Sequence, residues 1–174
     1  LVTEYGLRDA DIFFDCLTFT IGSGDESLYT AGIETLNAIK EISRLLPQCH
    51  TVLGLSNISF GLKPNCRHVV NSVFLQEAVS AGITAAIVDA AKIRPLSDID
   101  AKEKELALAL IYNYRAHGND PLINIINHFA TAANDDQQTV NTIMQLPEEL
   151  LAEKITKGNK DGLEDVLISL LERY

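Results

Sequence analysis

Strand and helix signals alternate three times over the first 116 residues, and this alternation constrains the chain more than anything else in it. DIFFDCLTF (11–19) is a compact β-branched and aromatic run, broken by IGSGDE (21–26). Residues 27–46 then carry Leu28, Ala31, Ile33, Leu36, Ile39, Ile42, Leu45 and Leu46 at helical spacing, with Pro47 just after. HTVLGLSNISFG (50–61) reads as a second strand. Residues 65–81 read as a second helix, with Val69, Val70, Val73, Phe74 and Val79 apolar and Gly82 as its stop. ITAAIVDAA (83–91) is the third strand, and its near-continuous apolar character predicts burial on both faces, as in a parallel sheet. DIDAKEKELALALIYNYRA (98–116) follows as a third helix, with Asp98 or Asp100 as N-cap. The order β-α-β-α-β-α is that of a parallel α/β fold. Three units are too few to close an eight-stranded barrel, so the sheet is open or further units precede it. Leu1 in place of Met, with no basic-then-apolar leader, favours a chain that starts mid-protein.

The second half changes character. HGNDP (117–121) reads as a loop, LINIINHF (122–129) as a short amphipathic helix and ATAANDDQQ (130–138) as a polar linker. From about 140 the pattern is helical, split by Pro147 and closed at Gly158. A last helix is capped by Asp161, with Leu163, Val166, Leu167, Leu170 and Leu171 along one stripe. The expected domains are therefore 1–117, a linker over 118–139, and a helical segment over 140–174.

Composition narrows the function classes. The chain has 174 residues with 14 Lys and Arg against 24 Asp and Glu, a formal charge of -10 that repels nucleic acid. No apolar run is long enough to span a membrane, and a cytoplasmic location is expected. Cys16, Cys49 and Cys66 form no CxxC pair, so they read as small buried hydrophobes in a reducing compartment. His50, His68, His117 and His128 have no metal-ligand spacing and are assigned to structure or surface. No metal site is expected in this chain.

In parallel α/β folds ligands sit at the carboxyl ends of the strands. Asp15 ends the first strand, Gly54-Leu55-Ser56-Asn57-Ile58-Ser59 the second and Asp89 the third. A carboxylate beside an amide suits a flat heterocycle: one accepts from ring N–H and amine groups, the other both donates and accepts. Capping of turns is the competing reading for Asp15, Asn57 and Asp89. Gly54 and Ser56 would allow close approach of backbone to ligand, while Gly22 and Gly24 either do the same or simply turn the chain. Arg67, Lys92 and Arg94 would meet an anionic ligand tail or stay solvated.

LGLSNISFGL (53–62) and NSVFLQEAVSAGITAAIVDAAKI (71–93) resemble the pterin-binding barrel of cobalamin-dependent methionine synthases and related corrinoid-linked methyltransferases. FFDCLTFTIGSGDE (13–26) is similar to the preceding strand of that family, with Cys16 where relatives have Pro. NDPLINIINHF (119–129) is similar to the segment joining barrel to cobalamin module, and LAEKITKGNKDGLEDVLISLLERY (151–174) to the first helices of the cobalamin cap. The resemblance implies an α/β fold, the C-terminal β-α units of a (β/α)8 pterin-binding TIM barrel, followed by the all-α start of a cap.

It also implies roles. Asp15 would hold the pterin. Asn57 would be the catalytic amide near N5, and Gly54, Ser56 and Ser59 would line the site with it. Asp89 stands where relatives often have Asn. The implied reaction is methyl transfer from 5-methyltetrahydrofolate to cob(I)alamin within methionine synthesis, with the cobalamin module of the same polypeptide as partner. The Asp-x-His-x-x-Gly cobalt-ligand motif and the zinc-binding cysteine cluster do not occur here, so cobalamin ligation and zinc belong to the parent enzyme. Dihydropteroate synthase, or a folate- or corrinoid-binding module without catalysis, are the alternatives.

Overall fold

The computed structural model describes residues 1–116 and 118–140, with side chains followed to Thr131, together with Glu148, Leu151, Leu167, Ile168 and Leu170. The chain divides into two compact units, Leu1–Thr131 and Ala132–Tyr174. Its elements are α1 (Val2–Tyr5), β1 (Phe13–Asp15), α2 (Ala31–Leu45), β2 (His50–Gly54), α3 (Pro64–Ala81), β3 (Ala85–Ile87), α4 (Ala101–Ile111) and α5 (Pro121–Val140). The sheet has the order β1-β2-β3 with both pairings parallel, as the alternation of signals predicts.

Register decides what each face carries. Phe13 lies beside His50, Asp15 beside Val52, Val52 beside Ala85 and Gly54 beside Ile87. Side chains alternate along a strand, so these residues share one face, and Phe14, Thr51, Leu53 and Ala86 share the other. The second face is covered: Leu53 is 0% and Thr51 2% exposed. Leu53 belongs to one core with Leu36 and Ile39 of α2, Val70 and Phe74 of α3, and Leu110 and Ile111 of α4. The first face is open, with Phe13 55% and Ile87 70% exposed.

That layout corrects the expectation of a third strand buried on both sides. The helices cover a single face of the sheet, and β3 is an edge strand. The strands are also shorter than the apolar runs. After Gly54 the chain turns into a 3-10 segment, Leu55–Ser59, in which Leu55 and Ile58 are fully buried. Those two residues extend the apolar run without extending the strand. Asp100, not Asp98, caps α4, its side chain accepting from the Lys102 amide at 2.7 Å.

The segment expected as a linker over 130–138 is helical in its backbone, part of a helix from Pro121 to Val140. Between those residues there is no Gly or further Pro, and Ala, Gln, Thr and Asp cost a helix only tenths of a kcal/mol each, up to roughly 0.7. Pro121 supplies a pre-set φ at the first position, and Asp120 accepts from the Leu122 amide at 2.8 Å. His117, Pro147, the stop read at Gly158 and the cap read at Asp161 lie outside the described residues, as do most residues of the helices predicted beyond 140. Among the described residues no helix is long and apolar enough to cross a membrane.

Candidate functional site

Three parallel strands bring their carboxyl ends to one edge of the sheet. Asp15 is the last residue of β1, exposed and on the open face. Its Oδ1 accepts from the Leu17 amide at 2.9 Å, so it does cap a turn, and Oδ2 has no hydrogen bond among the described residues. Leu17 sits at φ 54, a left-handed conformation that costs a non-glycine residue about 1 kcal/mol or more. Cys16 between them is not an activated nucleophile, because burial and the neighbouring Asp15 carboxylate both push its thiol up.

Beyond β1 and β2 the two loops are stitched together. Ile21 N donates to Ile58 O at 3.0 Å and Thr20 Oγ1 to Phe60 O at 2.6 Å. Gly22 and Gly61 make this approach possible: a Cβ on Gly22 would lie 2.8 Å from Phe60 O, and one on Gly61 2.9 Å from Gly22 O. Gly22 is thus required for loop contact, a sharper role than turning the chain. The stitching ends at Asn57, whose Nδ2 donates to Thr18 O. Asn57 is exposed, and this bond fixes its amide so that Oδ1 is the unengaged end.

The turn that presents Asn57 is held from beneath. Arg67, in the first turn of α3, donates from Nε to Ser59 Oγ at 3.1 Å and from Nη2 to Ser56 O at 3.0 Å. Ser59 Oγ donates to Ser56 O at 3.2 Å. Ser59, expected among the ligand contacts, is 0% exposed, so its hydroxyl braces the turn instead of facing the mouth. Ser56 is exposed at the turn's surface. Gly54 is exposed too, and a Cβ there would meet nothing within 4 Å. Nothing in this chain requires glycine at 54; a side chain would only occupy the space over the open face.

Asp89 lies just past β3. Its Oδ1 accepts from the Ala91 amide at 3.2 Å and Oδ2 pairs with Lys92 Nζ at 2.8 Å. The hydrogen bond from Lys92, then its charge, hold the carboxyl below the usual range. Asp89 is therefore an acceptor only at neutral pH. Arg94 turns away from this edge, its amide donating to Ser72 Oγ at 2.8 Å and its guanidinium to Asp98 O. His50 packs on Phe13 with ring centroids 4.7 Å apart. Among the described residues no three His, Cys, Asp or Glu side chains gather in a way that could hold a metal ion.

The edge therefore collects an exposed carboxylate (Asp15), an oriented amide (Asn57) and, beyond β3, an ionised carboxylate (Asp89), all beside an open apolar face. The bracing role of Arg67 was not read from the sequence. A signal for it exists: a cation in the first turn of a helix opposes the helix dipole, so it needs a partner.

Comparisons with known proteins show the family of the chain. Residues 1–89, which contain all six candidate site residues, match the family model described as "Pterin binding enzyme". The chain is 40% identical over 167 residues to a protein named methionine synthase from Mycobacterium leprae (strain TN), covering 94% of this chain and 14% of that protein. It is 42% identical over 164 residues to methionine synthase of Mycobacterium tuberculosis (strain ATCC 25618 / H37Rv), covering 92% of this chain and 14% of that protein. This chain thus spans about 14% of the length of these relatives. With the family model matching just over half of its residues, the chain belongs to the pterin-binding enzymes.

Proposed function

We propose that the chain is part of a methionine synthase, and that its three β-α units are the C-terminal part of a (β/α)8 barrel that binds 5-methyltetrahydrofolate for methyl transfer to cob(I)alamin. The open sheet face carries this reading. Phe13, Val52, Ala85 and Ile87 make a one-sided apolar surface that suits the inside of a barrel completed by further strands. Asp15 and Gly54 lie on that same face at its carboxyl end, where barrel enzymes place their ligands.

Asp15 has a free oxygen for the N–H and amine groups of the pterin edge, and holds the ring in register. N5 is a poor leaving group until it carries a proton, so the proton must be on N5 as the methyl departs. Asn57 Oδ1, the unengaged end of its amide, accepts from that N5–H and stabilises the charge that develops. Cob(I)alamin, when held by other parts of a full-length protein, would supply the nucleophile for the methyl group. The helices over 140–174 are proposed as the start of its cap, after a junction near 118–139.

Asn57→Ala in the full-length protein is expected to slow methyl transfer by about tenfold or more, while the Kd for 5-methyltetrahydrofolate rises only a few-fold. Stopped-flow methyl transfer and equilibrium binding measure the two quantities. Equal losses in both would overturn the role given to Asn57.

A further inference from the structure

The corner between α4 and α5 packs against the loop that follows β1, and three contacts join them. Gly32, in the first turn of α2, meets the end of α4: a Cβ there would lie 2.7 Å from Ile111 O. A Cβ on Gly24 would lie 3.9 Å from Leu122 Cδ2, in the first turn of α5. The third contact is charged. The Arg115 guanidinium carbon sits over the Tyr29 ring, 3.6 Å from its centroid.

Arg115 is held in that pose by its own corner. Its Nε donates to Asn113 Oδ1 at 2.7 Å and its Nη1 to Asp120 Oδ2 at 2.9 Å. Asn113 turns the chain at φ 51, and Asp120 caps the start of α5 by accepting from the Leu122 amide. A guanidinium is planar, so hydrogen bonds along its edge fix the plane and leave a face for the ring. The Arg115 side chain is 29% exposed, and partial burial strengthens a cation against an aromatic face. Tyr29 in turn donates from its hydroxyl to Gly24 O at 3.5 Å, which closes the outer part of the loop on itself. The inner part of the same loop is the seam with the Asn57 turn, made by Thr18 O, Thr20 Oγ1 and Ile21 N. The loop therefore hangs between two anchors, one at Arg115 and one at Asn57.

We infer that Arg115 is a positioning residue for methyl transfer: stacked on Tyr29, it holds the loop after β1 where Thr18 O fixes the Asn57 amide. The inference rests on the role proposed for Asn57. With the stacking lost, the loop shifts and takes Thr18 O with it, and the amide no longer keeps Oδ1 as the end that meets N5. A displacement of about 1 Å is enough to cost a reaction much of its rate. Asp15 keeps its place, because the pairing of β1 with β2 sets it, so folate binding is spared.

The test uses the full-length protein, with methyl transfer from 5-methyltetrahydrofolate followed by stopped flow and its Kd by equilibrium binding. Arg115→Met and Tyr29→Leu should each slow transfer about fivefold or more and leave the Kd within about twofold. Tyr29→Phe, which keeps the ring, should stay within about twofold of wild type in both. Placed in an Asn57→Ala background, Arg115→Met should add less than about a twofold further loss, since residues that act through one group are not additive. Full activity of both Arg115→Met and Tyr29→Leu overturns the inference. So does a Kd that rises as much as the rate falls, a Tyr29→Phe as slow as Tyr29→Leu, or an undiminished Arg115→Met loss in the Asn57→Ala background. The parent reading fails separately: wild type that transfers no methyl, or an Asn57→Ala variant that loses rate and binding alike, removes the role of Asn57 and this inference with it.

Discussion

Asn57 does two jobs with one amide. Its nitrogen holds the neighbouring loop at Thr18 O, and that bond leaves its oxygen as the end a ligand meets. Asp15 divides its oxygens in the same manner, one on the Leu17 amide and one without a partner among the described residues. For both residues, capping and binding are compatible readings, because each has two polar ends. The residue types and strand-end positions were legible in the sequence. The split between ends was not, since it depends on loops brought together across 39 residues. Ser59 shows the limit of a motif: its type and spacing fit a ligand contact, but burial makes it a brace. Cys66 was legible as a buried hydrophobe. Burial, then the Glu103 charge, push its thiol up to about 12. Alkylation with iodoacetamide at pH 8, followed by mass spectrometry, should therefore label Cys66 last of the three cysteines. With its thiolate disfavoured and its side chain buried, it should react at a rate set by unfolding. Labelling of Cys66 as fast as Cys16 would contradict its packing.

Among the elements, α2 and α3 were predicted to within a few residues, α4 and the strands were overrun, and α5 was cut short. α3 was read as 65–81 and spans Pro64–Ala81, because Pro and Gly mark its ends. The strands were overrun for another reason: Leu55 and Ile58, buried in the 3-10 turn after β2, carry the apolar signal past the pairing. The segment 130–138 is helical for the converse reason, since polarity without Gly or Pro does not stop a helix. The start of α5 carries its own prediction. Burial pushes the Asp120 carboxyl up, but the Arg115 guanidinium at 2.9 Å and the Leu122 amide outweigh it and hold it below its ordinary value. A carboxyl with a lowered folded-state pKa adds stability at pH above its unfolded value, and loses that stability as pH falls through the folded one. Asp120→Ala should cost about 1 kcal/mol at pH 7, as for other N-cap losses, and less near pH 2. Thermal melts at the two pH values measure the difference; an equal loss at both would remove the charge from the account.

For the molecule as a whole, the direction of the fold was legible and its sidedness was not. Alternating strand and helix signals specify parallel pairing. The expectation of burial on both faces, however, assumed a sheet covered on both sides. In this chain one face packs on helices and the other, with Phe13 and Ile87, is bare. The proposed barrel gives Ile87→Lys opposite effects in two settings. In the isolated 174-residue chain it should reduce self-association and binding of an apolar dye. In the full-length protein it should lower stability by about 2 kcal/mol or more, from lost apolar burial alone. Sedimentation of the chain and denaturant melts of the full protein check the pair. A stabilising effect in both would leave the face without a partner.

The meeting of Gly22 and Gly61 has a consequence for how such sequences drift over time. Each glycine's missing methyl is the room that the other's loop occupies, and Gly61 also sits at φ 94. Neither position can acquire a side chain on its own without separating the loops that seat Asn57 and Asp15. A lineage that keeps this site is therefore expected to keep both glycines together, and one that has replaced either is expected to have rebuilt the loop opposite.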